Sequence, residues 1–240
     1  MSLFKEDSSQ INLIDKARYE IKFVTESSLF FYISHWIKNH DMGFFEEYPS
    51  RSVNNIYFDN HNLDSYIENL SGISSRSKIR LRWYGKLHKS NSQKSKLELK
   101  IKKNKLGWKY AEDIFFSKNL KDITKTELLR SINDQLSEKL KHRFNISDTP
   151  VLINSYKRFY YVSMNKKVRI TLDKDLSFYD QRVHNKLNFT YMVHSPNICV
   201  LEFKSAKNDI DFCRKALENV FLQPSKCSKY VLGVQRILGV

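Results

Sequence analysis

The sequence has few of the features that mark secreted or membrane proteins. Its three cysteines among 240 residues are too few and too far apart for a disulfide framework or a zinc motif. Its first residues contain no apolar segment of the kind that a signal peptide requires. No apolar run approaches the ~20 residues that cross a bilayer. We therefore expect a soluble, cytoplasmic protein with reduced thiols.

Glycine and proline are also scarce, at six and four residues, which leaves little room for long flexible linkers. A hydrophobic fraction of 41% and an aromatic fraction of 13% are typical of a folded chain and exclude general disorder. We expect the polar residues 1–16 to form a flexible N-terminal tail. Residues 17–240 are long enough to bury a sizeable core, and we expect them to form one domain.

Negative charge is scarce relative to positive charge. The chain has 41 Lys and Arg residues against 26 Asp and Glu residues, which gives a formal net charge of +15. Such an excess favours a polyanionic partner, because the positive field attracts anions to the surface. Composition alone leaves nucleic acid, an anionic membrane surface and a phosphorylated small molecule open.

What the sequence does contain is a repeated alternation of apolar and charged residues. In residues 77–85, Lys78, Arg80 and Arg82 share one face of a predicted strand, and apolar side chains occupy the other face. Cations two residues apart on a strand lie only about 7 Å from each other, so this row repels itself. We expect an anion to compensate it.

The same alternation recurs along the chain and predicts a sheet with amphipathic helices. The predicted strands are residues 18–24, 52–59, 77–85, 96–102, 108–116, 151–164, 167–173 and 198–204, and the predicted helices include 60–70, 124–142 and 209–221. The helices need apolar surface to pack against, and the apolar strand faces provide it. We therefore predict an α+β fold, in which an antiparallel β-barrel forms a tunnel with a charged interior and amphipathic helices packed outside.

Four acidic residues share the cationic strand faces. Glu20, Glu98, Asp173 and Glu202 would repel phosphate, but their hard oxygen atoms suit a divalent cation such as Mg²⁺ or Mn²⁺. Two like charges 4 Å apart cost roughly 4 kcal/mol at an effective dielectric of 20, so an empty cationic bore is unfavourable. A polyphosphate with a divalent metal would relieve that repulsion, and we predict these four acids as metal ligands.

A set of short motifs runs in order along nearly the whole chain. The motifs are Arg18-Tyr19-Glu20-x-Lys22, Tyr57-Phe58-Asp59, Lys78-x-Arg80-x-Arg82-x-Tyr84-Gly85, Glu98-x-Lys100, Gly107-x-Lys109, Tyr156-x-Arg158, Arg169-Ile170-Thr171-Leu172-Asp173, Leu201-Glu202-x-Lys204 and Ser228-Lys229-Tyr230-x-x-Gly233. Each motif is weak alone, but the ordered set resembles the polyphosphate polymerase (VTC) domain of the vacuolar transporter chaperone family. That family is a branch of the triphosphate tunnel metalloenzymes, which are also called CYTH-like proteins.

The resemblance implies an ATP-polyphosphate phosphotransferase, which moves the terminal phosphoryl group of ATP onto polyphosphate with Mn²⁺ or Mg²⁺ as cofactor. It assigns catalytic roles to Arg80, Arg82, Lys100 and Glu202, of which Glu202 is the leading metal ligand. The residues that it implies for phosphate binding are Lys22, Lys78, Arg80, Arg82, Lys100, Lys109, Tyr156, Arg158, Arg169, Lys204 and Lys229.

One departure from the wider superfamily separates the alternatives. Members that hydrolyse or cyclise begin with Glu-x-Glu-x-Lys, whereas Arg18 stands at the first acidic position here, and this favours transfer over hydrolysis. A triphosphatase of the same fold and a non-catalytic protein that binds polyphosphate or nucleic acid are the alternatives. We do not expect nucleic acid as the partner, because a nucleic-acid surface has no use for acids at fixed strand positions. Eukaryotic relatives carry membrane helices that this sequence lacks, so a separate membrane protein is a candidate partner.

Overall fold

Nine strands belong to one antiparallel sheet in the computed structural model, which describes residues 18–88, 94–104 and 106–240. The strands are β1 (Arg18–Glu26), β2 (Phe45–Asp59), β3 (Ser75–Tyr84), β4 (Ser95–Lys103), β5 (Leu106–Ile114), β6 (Thr149–Val162), β7 (Val168–Asp180), β8 (Met192–Val193) and β9 (Ile198–Ala206). The α-helices are α1 (Phe30–Lys38), α2 (Asp64–Leu70), α3 (Lys125–Asn133), α4 (Glu138–Ile146), α5 (Ile210–Leu217) and α6 (Lys229–Leu238). The predicted tail at residues 1–16 lies outside the described residues.

The sheet curls, but hydrogen bonds between the described residues do not close it. The strand order is β1-β9-β7-β6-β2-β3-β4-β5, with β8 paired to β7, so β1 and β5 are edge strands among the described residues. Lys100 of β4 nevertheless reaches Glu20 of β1 at 2.9 Å, which brings the two ends of the sheet together. Register shifts in β2 and β6 help to bend these long strands. The predicted α+β antiparallel fold is confirmed, and the sheet curls in the manner of a barrel but is not closed over the described residues.

The outer surface of β2, β3 and β4 is apolar and lies under α3 and α4. Ile79 and Leu81 of β3 are buried there together with Leu128 of α3. Arg80 alternates with them along the strand and points to the opposite surface, where its Nη1 donates to the hydroxyl of Tyr57 at 3.2 Å. The predicted arrangement, with apolar residues under helices and cations on the inner face, is confirmed for β3.

A second apolar layer lies under α1 and α5. Ile33 and Ile37 of α1 and Cys213 of α5 are buried against Leu172 of β7 and Phe203 of β9. Burial raises the pKa of the Cys213 thiol, so this residue acts as a small apolar side chain. The helices thus cover the outer surface at both ends of the sheet. None of the helices within the described ranges is long and apolar enough to span a bilayer.

Residues 124–142 form parts of two helices instead of the single helix predicted from the sequence. Helix α3 begins with a capping box in which Thr124 and Glu127 each accept from the other's backbone N–H. Helix α4 begins after Ser137, whose backbone N–H and hydroxyl both donate to Glu112 of β5, at 2.9 and 2.5 Å. Ser137 has an extended conformation, with ψ of 152°, and a continuous helix does not allow this.

Helix α6 packs on the inner surface of β6 and β7. A Cβ at Gly233 would lie 2.3 Å from a methyl group of Leu152 and 2.8 Å from the ring of Phe178. The helix can approach this closely because glycine has no side chain. The packing covers one part of the inner surface and places Lys229, the first residue of α6, beside Asp173 of β7 at 2.6 Å.

Candidate functional site

The inner surface of the curled sheet collects the predicted site residues, and we call it the charged face. Strand register pairs Lys22 with Glu202, Arg158 with Asp173 and Arg80 with Glu98, so each pair points to the same side. The predicted residues that share this face are Glu20, Lys22, Lys78, Arg80, Arg82, Glu98, Lys100, Lys109, Tyr156, Arg158, Arg169, Asp173, Glu202, Lys204 and, from α6, Lys229. Alternation along the strands therefore brings the predicted site together.

Glu98 is the centre of one ionic cluster on this face. Its Oε2 accepts from Arg80 Nε at 2.8 Å and lies 2.7 Å from Arg80 Nη2, while Lys109 Nζ donates to Oε1 at 2.9 Å. Arg82 Nη1 adds a third cation at 3.6 Å. Burial of Glu98 would raise its pKa, but the charges of Arg80, Arg82 and Lys109 outweigh burial and hold the pKa well below its usual range. Glu98 is therefore a permanent anion that fixes two guanidinium groups.

Asp173 is the centre of a second cluster. Arg158 binds it in a bidentate manner, with Nε to Oδ1 at 2.6 Å and Nη2 to Oδ2 at 2.7 Å, and Lys229 Nζ lies 2.6 Å from Oδ2. The Asp173 side chain is only 1% exposed. Burial would raise its pKa, but the charges of Arg158 and Lys229 lower the pKa to about 2. This carboxylate thus holds Arg158 and Lys229 in place beneath the face.

Tyr156 lies between these two clusters. Its hydroxyl accepts from Arg82 Nη2 at 3.4 Å. The cations of Arg158 and Lys229 lie 5.2 and 4.8 Å from its ring centroid. Burial would raise the pKa of Tyr156, but the charges of Arg158 and Arg82 outweigh burial and lower the pKa. A phenol in this environment is a strong hydrogen-bond donor, which suits an anionic oxygen.

Glu202 and Glu20 form a third cluster, in which all the ion pairs within the described part of the chain are with lysines. Lys204 Nζ lies 2.8 Å and Lys22 Nζ 3.2 Å from Glu202. Lys22 also lies 3.9 Å from Glu20, whose second partner is Lys100 at 2.9 Å. Burial opposes the ionisation of Glu202, yet the charges of Lys204 and Lys22 hold its pKa well below the usual range. Burial also opposes ionisation of Glu20, and the charge of Lys100 outweighs it and lowers the pKa.

Two predicted phosphate-binding residues lie apart from these clusters. Arg169 is half exposed and pairs with Glu47 of β2 at 3.5 Å. Lys78 Nζ donates to the hydroxyl of Ser228 at 2.7 Å. Burial and the nearby charges of Lys22 and Lys100 lower the pKa of Lys78 to about 7. Among the described residues no carboxylate pairs with Lys78, so this amine remains available to an anion.

Sequence reasoning missed three residues that support the cations. Tyr57 accepts from Arg80, and Asn55 Oδ1 accepts from Arg82 Nε at 2.8 Å. Ser228 accepts from Lys78. Tyr57 and Ser228 lie in motifs that the sequence analysis quotes, and Asn55 precedes Tyr57 by two residues and therefore shares its face. The two-residue spacing from a motif residue was the signal that could have identified Asn55.

The four predicted metal ligands are not gathered into one site. No group of three or more His, Cys, Asp or Glu side chains that could hold a metal ion occurs in the described part of the chain. Both oxygens of Glu98 and both oxygens of Asp173 already bind arginine or lysine groups. Glu20 and Glu202 fit a divalent cation better, because Lys22 contacts both and lysine amines on flexible stems can move to phosphate oxygens. Hard carboxylate oxygens of this kind suit Mg²⁺ or Mn²⁺.

Comparison with known proteins identifies one family and several distant structures. The family model described as the VTC domain matches residues 17–238. No curated protein matches the chain. A solved protein from Pyrococcus horikoshii is 13% identical, with a TM-score of 0.47 over 90% of this chain and 96% of that one. A candidate adenylate cyclase from Vibrio parahaemolyticus is 11% identical (TM-score 0.47; 90% and 97% covered), and the Schizosaccharomyces pombe Mediator head module is 10% identical (TM-score 0.47; 87% and 97% covered). These structural similarities are too distant to bear on function.

Proposed function

The chain belongs to the VTC domain family, and on this premise we propose that it is a metal-dependent polyphosphate polymerase. In this proposal a single domain at residues 17–240 transfers the terminal phosphoryl group of ATP onto a polyphosphate chain held along the charged face. The observation that carries it is the continuous array of guanidinium, ammonium and phenol donors from Arg158 through Arg82 and Arg80 to Lys78. Linear polyphosphate has anionic oxygens along its whole length, which matches a donor array of this kind.

The cations act by binding and neutralising phosphate oxygens. Each guanidinium has five N–H groups, so Arg80, Arg82 and Arg158 can donate to phosphate oxygens while they stay bound to Glu98 and Asp173. The lysines act as mobile point charges. Tyr156 donates a hydrogen bond from its hydroxyl. The remaining residues proposed to bind phosphate are Lys22, Lys78, Lys100, Lys109, Arg169, Lys204 and Lys229. Glu98 and Asp173 contribute indirectly, because each fixes its arginine in one orientation before substrate binds.

A divalent metal, when bound by Glu202 with Glu20, supplies Lewis-acid neutralisation of the phosphate oxygens. Mn²⁺ and Mg²⁺ are both compatible with two carboxylates. Lys22 and Lys204 neutralise Glu202, from which their Nζ atoms lie 3.2 and 2.8 Å away. Both amines are close enough to exchange their carboxylate partner for a phosphate oxygen of the substrate.

The transfer itself needs no general base from the chain. The terminal oxygen of the acceptor polyphosphate is already anionic, and it forms a new bond to the γ-phosphorus of ATP. The bond between that phosphorus and the β–γ bridging oxygen breaks, and ADP leaves with the electron pair. Phosphoryl transfer asks a protein mainly for position and charge neutralisation, and Arg80, Arg82 and Lys100 provide these as the catalytic residues. A cytoplasmic location and a separate membrane protein as partner belong to the same proposal.

Incubation of the protein with ATP and Mn²⁺ tests this function directly. We expect long polyphosphate on a gel together with ADP, and a loss of about a hundredfold or more in rate for Arg80→Ala and Glu202→Gln. Arg130→Ala, which removes an exposed arginine on the outer helix α3, is the matched control and should retain the wild-type rate. Free phosphate without polyphosphate would instead identify a triphosphatase. Absence of both products, with a melting temperature raised by polyphosphate, would identify a binding protein.

A further inference from the structure

A cluster of aromatic side chains extends the charged face beyond Arg158. The guanidinium of Arg51 lies over three tyrosine rings, at 5.0 Å from Tyr48, 5.5 Å from Tyr84 and 5.2 Å from Tyr160. Tyr48 and Tyr160 also meet edge to face, with ring centroids 6.0 Å apart. We call these four residues the tyrosine cluster. None of them has a role in the proposed transfer reaction.

The tyrosine cluster lies on the same surface as the phosphate-binding residues. Register pairs Arg51 directly with Arg158 across β2 and β6, so the two side chains point to the same side. Tyr160 follows Arg158 by two residues on β6, which places it on that face about 7 Å further along. Tyr84 follows Arg82 on β3 in the same way. On both β3 and β6, a tyrosine therefore lies about 7 Å from an arginine that we propose to bind phosphate. A ribose can span this distance.

The opposite end of the charged face has a different chemistry. Along β3 the inward residues run from Tyr84 through the arginines to Lys78 and Arg76, over roughly 26 Å. Register pairs Lys78 with Lys100 and Arg76 with Lys102, so four cations lie together there. Cations predominate among these neighbours, where Glu20 pairs with Lys100, whereas rings predominate at the tyrosine cluster. A ligand that is anionic along its length and carries a flat ring at one end matches this polarity.

The tyrosine cluster is also open to such a ligand. Tyr48 and Tyr84 are 46% and 38% exposed, so part of each ring remains uncovered. Within the described ranges no carboxylate forms an ion pair with Arg51, so no acid competes with a further ring for its planar guanidinium. Tyrosine rings and a guanidinium plane are the groups on which nucleic-acid bases stack.

We propose that Arg51, Tyr48, Tyr84 and Tyr160 form a stacking site for the base of the nucleoside triphosphate donor. The inference rests on the proposed function, and it fixes the direction of the donor: the base lies at the tyrosine cluster and the phosphates extend past Arg158 and Arg82. Stacking accepts any base, because every base has a π-face. The site should therefore bind ATP and GTP with similar affinity.

Calorimetric titration with two probes tests the stacking site. The probes are adenylyl imidodiphosphate, an ATP analogue that is not cleaved between its β- and γ-phosphates, and inorganic tripolyphosphate, which has no base. We expect Tyr84→Leu and Tyr48→Leu each to weaken binding of the nucleotide about tenfold and to leave tripolyphosphate binding unchanged. Both side chains are exposed, so neither change should prevent folding. Tyr191→Leu, at a tyrosine that is 75% exposed and distant in sequence from the cluster, is the matched control.

The outcomes separate this inference from the function on which it rests. Equal weakening of both probes would assign the tyrosines a structural or phosphate-related role and overturn the stacking site. Unchanged binding of both probes would overturn it as well, while the proposed function stands. If the wild-type protein binds neither probe, the proposed function fails first and the stacking site with it. Arg51→Lys, which keeps the charge but removes the plane, should weaken only the nucleotide.

Discussion

The arginine-held acids and the lysine-held acids of the charged face differ in how firmly they are fixed. Glu98 and Asp173 are 3% and 1% exposed, and each accepts hydrogen bonds from an arginine fork. Among the residues that the structure describes, Glu20 and Glu202 form ion pairs with lysines only. A guanidinium is planar and pre-organised, whereas an ammonium moves on a flexible stem. The first pair is therefore suited to a fixed frame for phosphate binding, and the second pair to exchange of partners.

The comparison also explains why four similar acids need not share one role. An acid inside a fixed frame cannot release its arginine to a substrate without leaving a buried charge unpaired. An acid whose partners are lysines can lose them to phosphate oxygens and accept a metal in exchange. In the proposed reaction, Glu98 and Asp173 therefore keep their partners throughout, while Glu20 and Glu202 exchange theirs when substrate and metal bind.

The largest expected effect is a loss of stability when one of the arginine-held acids, Glu98 or Asp173, loses its charge. Asp173→Asn should lower the free energy of unfolding by about 3–5 kcal/mol, because Arg158 and Lys229 then lose their buried counter-charge. Glu20→Gln, at a side chain that is 31% exposed, should lower it by less than about 1 kcal/mol. Urea denaturation of both variants beside the wild type measures the difference. Similar losses in the two variants would remove the distinction between frame and exchangeable acids.

The second prediction concerns metal binding by the lysine-held acids, Glu20 and Glu202. Glu202→Gln should raise the Mn²⁺ concentration needed for half-maximal ATP consumption at least about tenfold, since it removes a charged ligand. Glu98→Gln should lower the rate without changing that concentration, because Glu98 orients Arg80 and Arg82. Mn²⁺ titrations of the two variants check this. A higher Mn²⁺ requirement in Glu98→Gln would return that residue to the predicted set of metal ligands.

Sequence periodicity was sufficient to predict the two surfaces of the sheet. Alternation in β3 placed Arg80 and Arg82 opposite Ile79 and Leu81, and the structure has them so. Local pattern could not predict the break between α3 and α4, because Ser137 is held by Glu112, which is 25 residues away in the chain. Alternation likewise cannot predict whether the barrel closes, because closure depends on hydrogen bonds between the two edge strands.

The sequence alone could not predict which cation forms an ion pair with each acid. Glu98-x-Lys100 and Glu202-x-Lys204 are identical patterns with both side chains on one face. Lys204 nevertheless pairs with its own Glu202, whereas Lys100 reaches across to Glu20 on β1. Residues two apart on a strand lie about 7 Å from each other, so a long side chain can turn toward its neighbour or away from it. The curvature of the whole sheet decides which contact forms.

The smallest expected effect concerns Lys78, with which no carboxylate of the described residues forms an ion pair, and it sharpens the same comparison. Its pKa is lowered to about 7 by burial and then by the charges of Lys22 and Lys100. A bound polyanion favours the charged amine, so binding above pH 7 must take up a proton. The affinity for tripolyphosphate should therefore fall as pH rises, and the wild-type advantage over Lys78→Met should shrink about fivefold between pH 7 and pH 8.

Taking the ratio of wild-type to Lys78→Met affinity at each pH removes the titration of tripolyphosphate itself. Lys157→Met, which removes an exposed lysine on the outer side of β6, controls for loss of net charge and should retain the wild-type pH dependence. We expect the opposite behaviour from Lys22. Burial would lower its pKa, but the charge of Glu202 outweighs burial and raises the pKa, so Lys22 remains charged across this pH range. A constant ratio for Lys78→Met would mean that Lys78 is as firmly charged as Lys22, and that an acid is not what distinguishes the two amines.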